Sequence, residues 1–319
     1  MNDLQASKRR HAHFKSACCE AADGKYRLCD CRQMTEGHVF RSPGRNKKRK
    51  DCYNIVMPFQ RLNLCMTADC ADMDEEEPCM LTTVLFDLDG TLLPMDQDVF
   101  VSSYFGNLCK KMAGYGYEPE RLVKNIWKGT AVMVRNDGSI TNEEAFWNFF
   151  AGEYGEESRD HIPVFDAFYH NEFQEARLSY GFTPRAKEVI QLVKDLGLRV
   201  ILATNPIFPA VATESRIRWA GLEPEMFEYY TTYENSSTSK PNPAYYREIL
   251  RKCGLHAEEC IMVGNDTGED MIAESLGMRV FLLTDCLIDR TGDLSRWPHG
   301  SFDELEQYLK TAAKEQSDV

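Results

Sequence analysis

From Leu81 onward, short apolar runs alternate with longer stretches in which apolar residues recur every three or four positions. The first pattern predicts buried strands and the second amphipathic helices. Thr82–Phe86 has strand length. From about Asp98 to Ser179 there is no strand pattern. Phe100, Tyr104 and Leu108 recur at helical spacing, followed by Leu122, Ile126 and Trp127, then Phe146, Trp147, Phe149 and Phe150, then Phe165, Phe168 and Tyr169. Such an aromatic stripe predicts the core of a small helical bundle. Thr141 with Glu144 three residues on is the signature of a capping box.

Alternation then resumes. A helix is predicted over Pro184–Leu196, started by Thr183 and stopped by Gly197, and a strand over Leu198–Ala203. A helix over Pro209–Ala220 ends at Gly221, and a short strand follows at Tyr229–Thr232. A helix over Asn242–Cys253 ends at Gly254, and Cys260–Val263 forms the next strand. One more helix runs to Leu276 and one more strand spans Arg279–Leu283. Ser301 caps a last helix with Glu304 in the box position. Apolar strands alternating with helices predict an α/β fold with a doubly wound parallel sheet. The core is expected from residues 80–95 and 181–319. Residues 96–180, too long and regular for a loop, are expected as an inserted helical cap domain over the site.

Composition changes the picture at the amino end. Residues 1–79 hold eight of the twelve cysteines, a basic run from Arg45 to Lys50 and an acidic run from Asp74 to Glu77, with no sustained period. Cys18, Cys19, Cys29 and Cys31 with His11, His13 or His38 raise the idea of zinc, but no Cys-x-x-Cys pair is present to favour it. The segment is expected to be a disordered leader, or upstream sequence ahead of a true start at Met80. The whole chain carries a net charge of −13, which argues against a nucleic-acid partner. No run of eighteen apolar residues occurs, so no membrane span is expected. The absence of a secretory apolar region makes the cytoplasm the expected location.

The candidate chemistry falls at predicted strand ends, where doubly wound sheets place their sites. Asp87-Leu88-Asp89-Gly90-Thr91 follows the first strand. Asp87 is a candidate nucleophile, given a magnesium ion to neutralise an incoming phosphate. Asp89, at the turn, is placed to act as acid and then base. Thr204, followed by Asn205, ends the second strand and offers a hydroxyl and backbone amide to a phosphate. Lys240, before Pro241, supplies a point charge. Asp266 and Asp270 follow the fourth strand, four residues apart, and are expected to face the same way. One would bind the metal while the other holds the lysine or a metal-bound water.

This order of residues resembles the haloacid dehalogenase-like hydrolase superfamily over about residues 81–290, and in particular its phosphoglycolate phosphatase-like branch. The Asp-x-Asp-Gly-Thr run, Thr204, Lys240 with Pro241, and Asp266 with Asp270 match its four motifs. The resemblance implies a magnesium-dependent phosphatase acting on a small phosphorylated metabolite through an aspartyl-phosphate on Asp87. It also implies Asp89 as general acid/base and phosphate binding by Thr204 and Asn205. Magnesium would be held by Asp87, the Asp89 carbonyl and Asp266, with Asp270 beside them. The fourth motif often begins Gly-Asp, whereas Gly264-Asn265-Asp266 stands here. Asn265 is therefore an alternative metal ligand, and Glu269 an alternative to Asp270. Asp89 argues for phosphate esters over halide displacement, which needs no donated proton. A phosphomutase of the same superfamily and a non-catalytic interaction protein are the rival readings.

Overall fold

The computed structural model describes residues 80–314, so the expectations for residues 1–79 lie outside the described residues. Among the described residues six strands form one sheet: β1 (Thr83–Phe86), β2 (Arg199–Leu202), β3 (Tyr229–Tyr230), β4 (Cys260–Gly264), β5 (Arg279–Leu283) and β6 (His299–Gly300). Their order is β3-β2-β1-β4-β5-β6, and every neighbouring pair is parallel. The central strand β1 is flanked by β2 and β4. The winding therefore reverses beside β1, and sheets of this kind bind ligands beyond the carboxyl ends of the strands at such a point.

Between β1 and β2 lies a helical insert: α1 (Gln97–Ala113), α2 (Pro119–Val134), α3 (Asn142–Tyr154) and α4 (Ile162–His170), with 3₁₀ turns over Glu156–His161 and Glu172–Ser179. The chain leaves and re-enters the core side by side. Met95 bridges Tyr180 in antiparallel fashion, and the Gly181 amide donates to the Pro94 carbonyl at 2.8 Å. The insert's interior is aromatic, as the stripe predicts. The Phe150 ring stacks on Phe146 at 5.6 Å and meets Trp147 and Phe165 edge-on at 5.4 and 5.5 Å. The capping box at α3 is made in both directions between Thr141 and Glu144.

The strands' side chains alternate between two apolar faces. Val84, Phe86, Leu202 and Val263 pack with α5 (Arg185–Asp195), α6 (Ala210–Trp219), α8 (Phe302–Lys314) and the insert's rings. Leu85, Ile201, Met262 and Leu282 pack on the opposite face with Tyr245, Tyr246 and Ile249 of α7 (Pro243–Cys253). Helices thus cover both faces of the sheet.

The insert also touches the core through a polar joint at Asn142. Its side-chain amide donates to the Pro206 carbonyl at 3.0 Å and to Ser239 Oγ at 3.0 Å, and its oxygen accepts from Asn136 at 3.0 Å. The Asn142 and Glu143 amides donate to the carbonyls of Ser236 and Tyr233.

Three details differ from the pattern-based expectation. The segment ending at Leu276 is a single 3₁₀ stretch, Met271–Leu276. The third strand is two residues long rather than four. The edge strand β6 was not foreseen. It pairs through backbone alone, Leu282 N–H to the Pro298 carbonyl and Thr284 N–H to the Gly300 carbonyl, and two residues cannot show an alternation. No helix among the described residues is long and apolar enough to cross a membrane.

Candidate active site

Of the polar residues singled out by sequence, Asp87, Lys240 and Asp270 are in direct contact, while Asp89, Asp266 and Thr204 have other partners. Asp87 continues the pairing of β1 by one residue, its amide donating to the Val263 carbonyl at 2.9 Å. The chain then turns through Gly90 at φ +83°, where a Cβ would lie 2.2 Å from Asn265 Nδ2. Both the backbone conformation and the close approach therefore require glycine. The turn brings the Thr91 hydroxyl 3.2 Å from Asp87 Oδ2 and 3.1 Å from Asn265 Oδ1. An acceptor oxygen from the first motif and one from the fourth thus lie against a single hydroxyl.

Lys240 is buried, with 1 % of its surface exposed. Its ammonium lies 2.7 Å from Asp87 Oδ1 and 2.6 Å from Asp270 Oδ1. Burial alone would favour the neutral amine, but the charges of Asp270 and Asp87 prevail and hold the pKa well above the usual lysine value. The same burial works against the carboxylates. It raises Asp87 despite the opposing pull of Lys240, and it pushes Asp270 up to about 7. Glu269 is likewise raised, by burial and then by the neighbouring Asp266 charge.

Asp266 and Asp270 do not share a direction as their spacing suggested. Both Asp266 oxygens accept from Arg290 Nε, at 2.8 and 3.0 Å, and Oδ1 also caps the amides of Gly268 and Glu269. Asp270 turns to Lys240 and takes the Asp266 amide at 3.0 Å on its other oxygen. Residues 266–270 form a turn, not the first turn of an α-helix, so the four-residue helical spacing does not apply. Asp270 packs directly on Gly264, where a Cβ would sit 2.2 Å from its carboxyl carbon.

Thr204 is buried at the end of β2. Its carbonyl accepts from Thr231 Oγ1 at 2.6 Å and from Tyr245 Oη at 2.7 Å, which anchors the loop that follows. Asn205 donates to Glu269 at 3.2 Å, and its side-chain oxygen is buried without a partner.

Asp89 stands apart from the Lys240 cluster. Its Oδ2 pairs with Arg216 Nη1, while its Oδ1 is buried with no hydrogen-bond partner. Sequence reasoning missed Arg216, Arg290 and the bridging role of Thr91. Arg216 left a usable signal: an arginine four residues after Ala212 and one before Ile217, both buried, is a charge on a core-facing stretch of helix. Arg290 lies in the loop after β5, where no periodicity marks it.

Magnesium suits the chemistry of this donor set. Five carboxylates, of Asp87, Asp89, Asp266, Glu269 and Asp270, face three cations, Lys240, Arg216 and Arg290. The donors are hard oxygens, and Asp87 Oδ2 and Asn265 Oδ1 lie against the same Thr91 hydroxyl, a set that suits a hard divalent cation. Among the described residues no three His, Cys, Asp or Glu side chains form a metal-holding group by themselves.

The description "haloacid dehalogenase-like hydrolase" belongs to the family model that matches residues 81–273. Glyceraldehyde 3-phosphate phosphatase of Methanothermobacter thermautotrophicus is 26% identical over 223 residues, 67% of this chain and 90% of that protein. Phosphoglycolate phosphatase of Neisseria gonorrhoeae is 23% identical over 199 residues, 61% of this chain and 76% of that one. Among solved structures, 2-haloacid dehalogenase from Pseudomonas syringae is similar in fold, with a TM-score of 0.50 and 18% identity over 73% of this chain and 99% of that one.

Proposed function

This chain belongs to the haloacid dehalogenase-like hydrolase family, and from that premise we propose that it is a magnesium-dependent phosphatase of the phosphoglycolate phosphatase-like branch, acting on a small phosphorylated metabolite. The observation that carries the reading is the buried Lys240 ammonium between Asp87 and Asp270, with Thr91 on the other Asp87 oxygen. One carboxylate is thereby held in orientation at the end of the central strand, where ligands of such sheets bind.

In this reading an Asp87 oxygen attacks phosphorus, forming the aspartyl-phosphate as the ester P–O bond breaks. Asp89 gives a proton to the leaving oxygen. Water then attacks the aspartyl-phosphate, Asp89 takes the proton from it, and phosphate and free Asp87 result. Lys240 neutralises charge on Asp87 and the transferred group. Thr204, through its hydroxyl, and Asn205, through its N–H donors, bind the phosphoryl oxygens. Bound magnesium supplies charge neutralisation for the approach of an anionic phosphate to an anionic nucleophile. Asp87 and the Asp89 carbonyl would hold it. From the fourth motif, Asn265 suits the task better than Asp266, because its oxygen shares the Thr91 hydroxyl with Asp87 while Arg290 occupies the Asp266 carboxylate. Asp270 then serves Lys240 and not the metal. The helical insert acts as a cap, and a covered site favours a small substrate. The relatives named above, a glyceraldehyde 3-phosphate phosphatase and a phosphoglycolate phosphatase, support that class.

The test is phosphate release from a panel of phosphorylated metabolites, with magnesium and again with a chelator. Turnover that needs magnesium is expected. No release from any ester would support a non-catalytic role, and isomerisation of a sugar phosphate without release would support a mutase.

A further inference from the structure

Arg216 is among the largest fully buried side chains, with 2 % of its surface exposed. Such a charge is costly to bury unless it is paired and hydrogen-bonded. Each part of its guanidinium is engaged. Nε donates to the Ala212 carbonyl at 3.3 Å, Nη2 donates to Thr213 Oγ1 at 3.2 Å, and Nη1 pairs with Asp89 Oδ2. The group also lies over the Phe208 ring, 4.6 Å from its centroid. Asp89 is its one carboxylate partner among the described residues. The fork is thus fixed by its own helix and an aromatic ring, and it projects a single arm toward the site.

Asp89 shows the complementary half. One oxygen is held by that arm and the other is buried and bare. The hydroxyl of Tyr180, at the hinge where the insert rejoins the core, is buried beside Asp89 and Arg216, close enough to interact with both but outside normal hydrogen-bond geometry. A carboxylate free to rotate would present either oxygen. Here the arginine fixes which oxygen is paired and which is left bare.

We propose that Arg216 is a positioning residue for the proton-transfer step: by gripping Asp89 Oδ2 it aims the bare Oδ1 at the leaving-group oxygen and later at the attacking water. It touches no substrate itself and acts only through Asp89. The inference rests on the phosphatase reading above. It adds that the acid/base is oriented from α6, after the second motif, and not from the cap.

The experiment compares phenyl phosphate with p-nitrophenyl phosphate, which differ little in shape but greatly in their need for a donated proton. The quantity followed is kcat/KM, which reports steps up to phosphoryl transfer. Arg216→Met is expected to lose roughly 10- to 100-fold on phenyl phosphate, the range for residues that orient a functional group, and several-fold less on p-nitrophenyl phosphate. Arg216→Lys keeps a charge but not the fork and should show the same contrast at smaller amplitude; it also serves if the Met variant does not fold. In an Asp89→Asn background, removing Arg216 should cost less than about twofold further, because the two act as one unit. Equal losses on both esters, or full additivity with Asp89→Asn, would make Arg216 a structural residue and overturn the proposal. A wild-type protein that releases phosphate from no ester would sink the phosphatase reading and this inference with it. A working wild type without the contrast would sink the inference alone.

Discussion

The helical insert and the platform of strand ends are held by opposite kinds of interaction. In the insert, Phe150, Phe168 and Phe173 are fully buried among other rings, in contacts that tolerate a range of angles. On the platform, Lys240, Asp87, Asp270, Asp266 and Arg216 are buried with specific partners at hydrogen-bond distance. The first region contributes stability through apolar area removed from water. The second holds charges away from water at a cost to stability, and keeps them in a fixed geometry. Stability and chemistry are therefore separable by mutation.

The largest expected effect is Asp87→Asn, with turnover falling at least about a thousand-fold, as for loss of other nucleophiles. Its melting temperature should hold or rise, because a carboxylate whose protonation burial favours is removed while Asp270 still pairs Lys240. Steady-state phosphate release beside a thermal melt checks both halves, and a large drop in melting temperature would break the comparison. Phe150→Ala should do the reverse. A loss of about 3–5 kcal/mol in denaturant unfolding is expected, with turnover per folded molecule within about threefold of wild type because the change is remote from Asp87.

Gly264→Ala probes a point where the two properties coincide. A Cβ there meets the Asp270 carboxyl carbon at 2.2 Å. Overpacking of this kind costs about 1–3 kcal/mol, and it displaces the group that orients Lys240, so stability and turnover should fall together. Retained activity would mean that Asp270 is not needed to hold the lysine.

The smallest effect concerns the loop that leads to Lys240. Burial opposes ionisation of Glu248, but bonds from Lys252 and the Ser237 amide prevail and hold its carboxyl below the ordinary value. A carboxylate depressed in the folded state adds stability above its unfolded pKa and loses it as pH falls through the folded value. The stability advantage of wild type over Glu248→Gln should be about 1 kcal/mol or less at neutral pH. It should shrink as the pH falls below about 4.5, the unperturbed value. An advantage unchanged by acid would remove Glu248 from the loop's support.

Much of the fold was legible because period and punctuation are local properties. The alternation of apolar runs marked β1, β2, β4 and β5, glycines marked helix ends, and Thr141 with Glu144 marked the start of α3. The edge strand β6 was not legible, since only its partner's backbone makes it a strand. The residues of the candidate site were legible by position, since Asp87, Asp89, Thr204 and Asp270 follow strands and Lys240 stands just ahead of a helix. Their assignments were less so. Asp266 and Asp270 looked equivalent by spacing, yet one turns to Arg290 and the other to Lys240.

Sequence by itself determined the alternating class of fold, the place of the insert and the residue types at each strand end, because these depend on neighbours along the chain. Only the tertiary structure decided that Asn265 faces Asp87 through Thr91, that Arg290 takes Asp266 and that Arg216 reaches Asp89. Those pairings join residues far apart in the chain, 127 positions in the case of Arg216 and Asp89. Which carboxylate meets which cation depends on how strands and helices pack, and no local pattern carries that information.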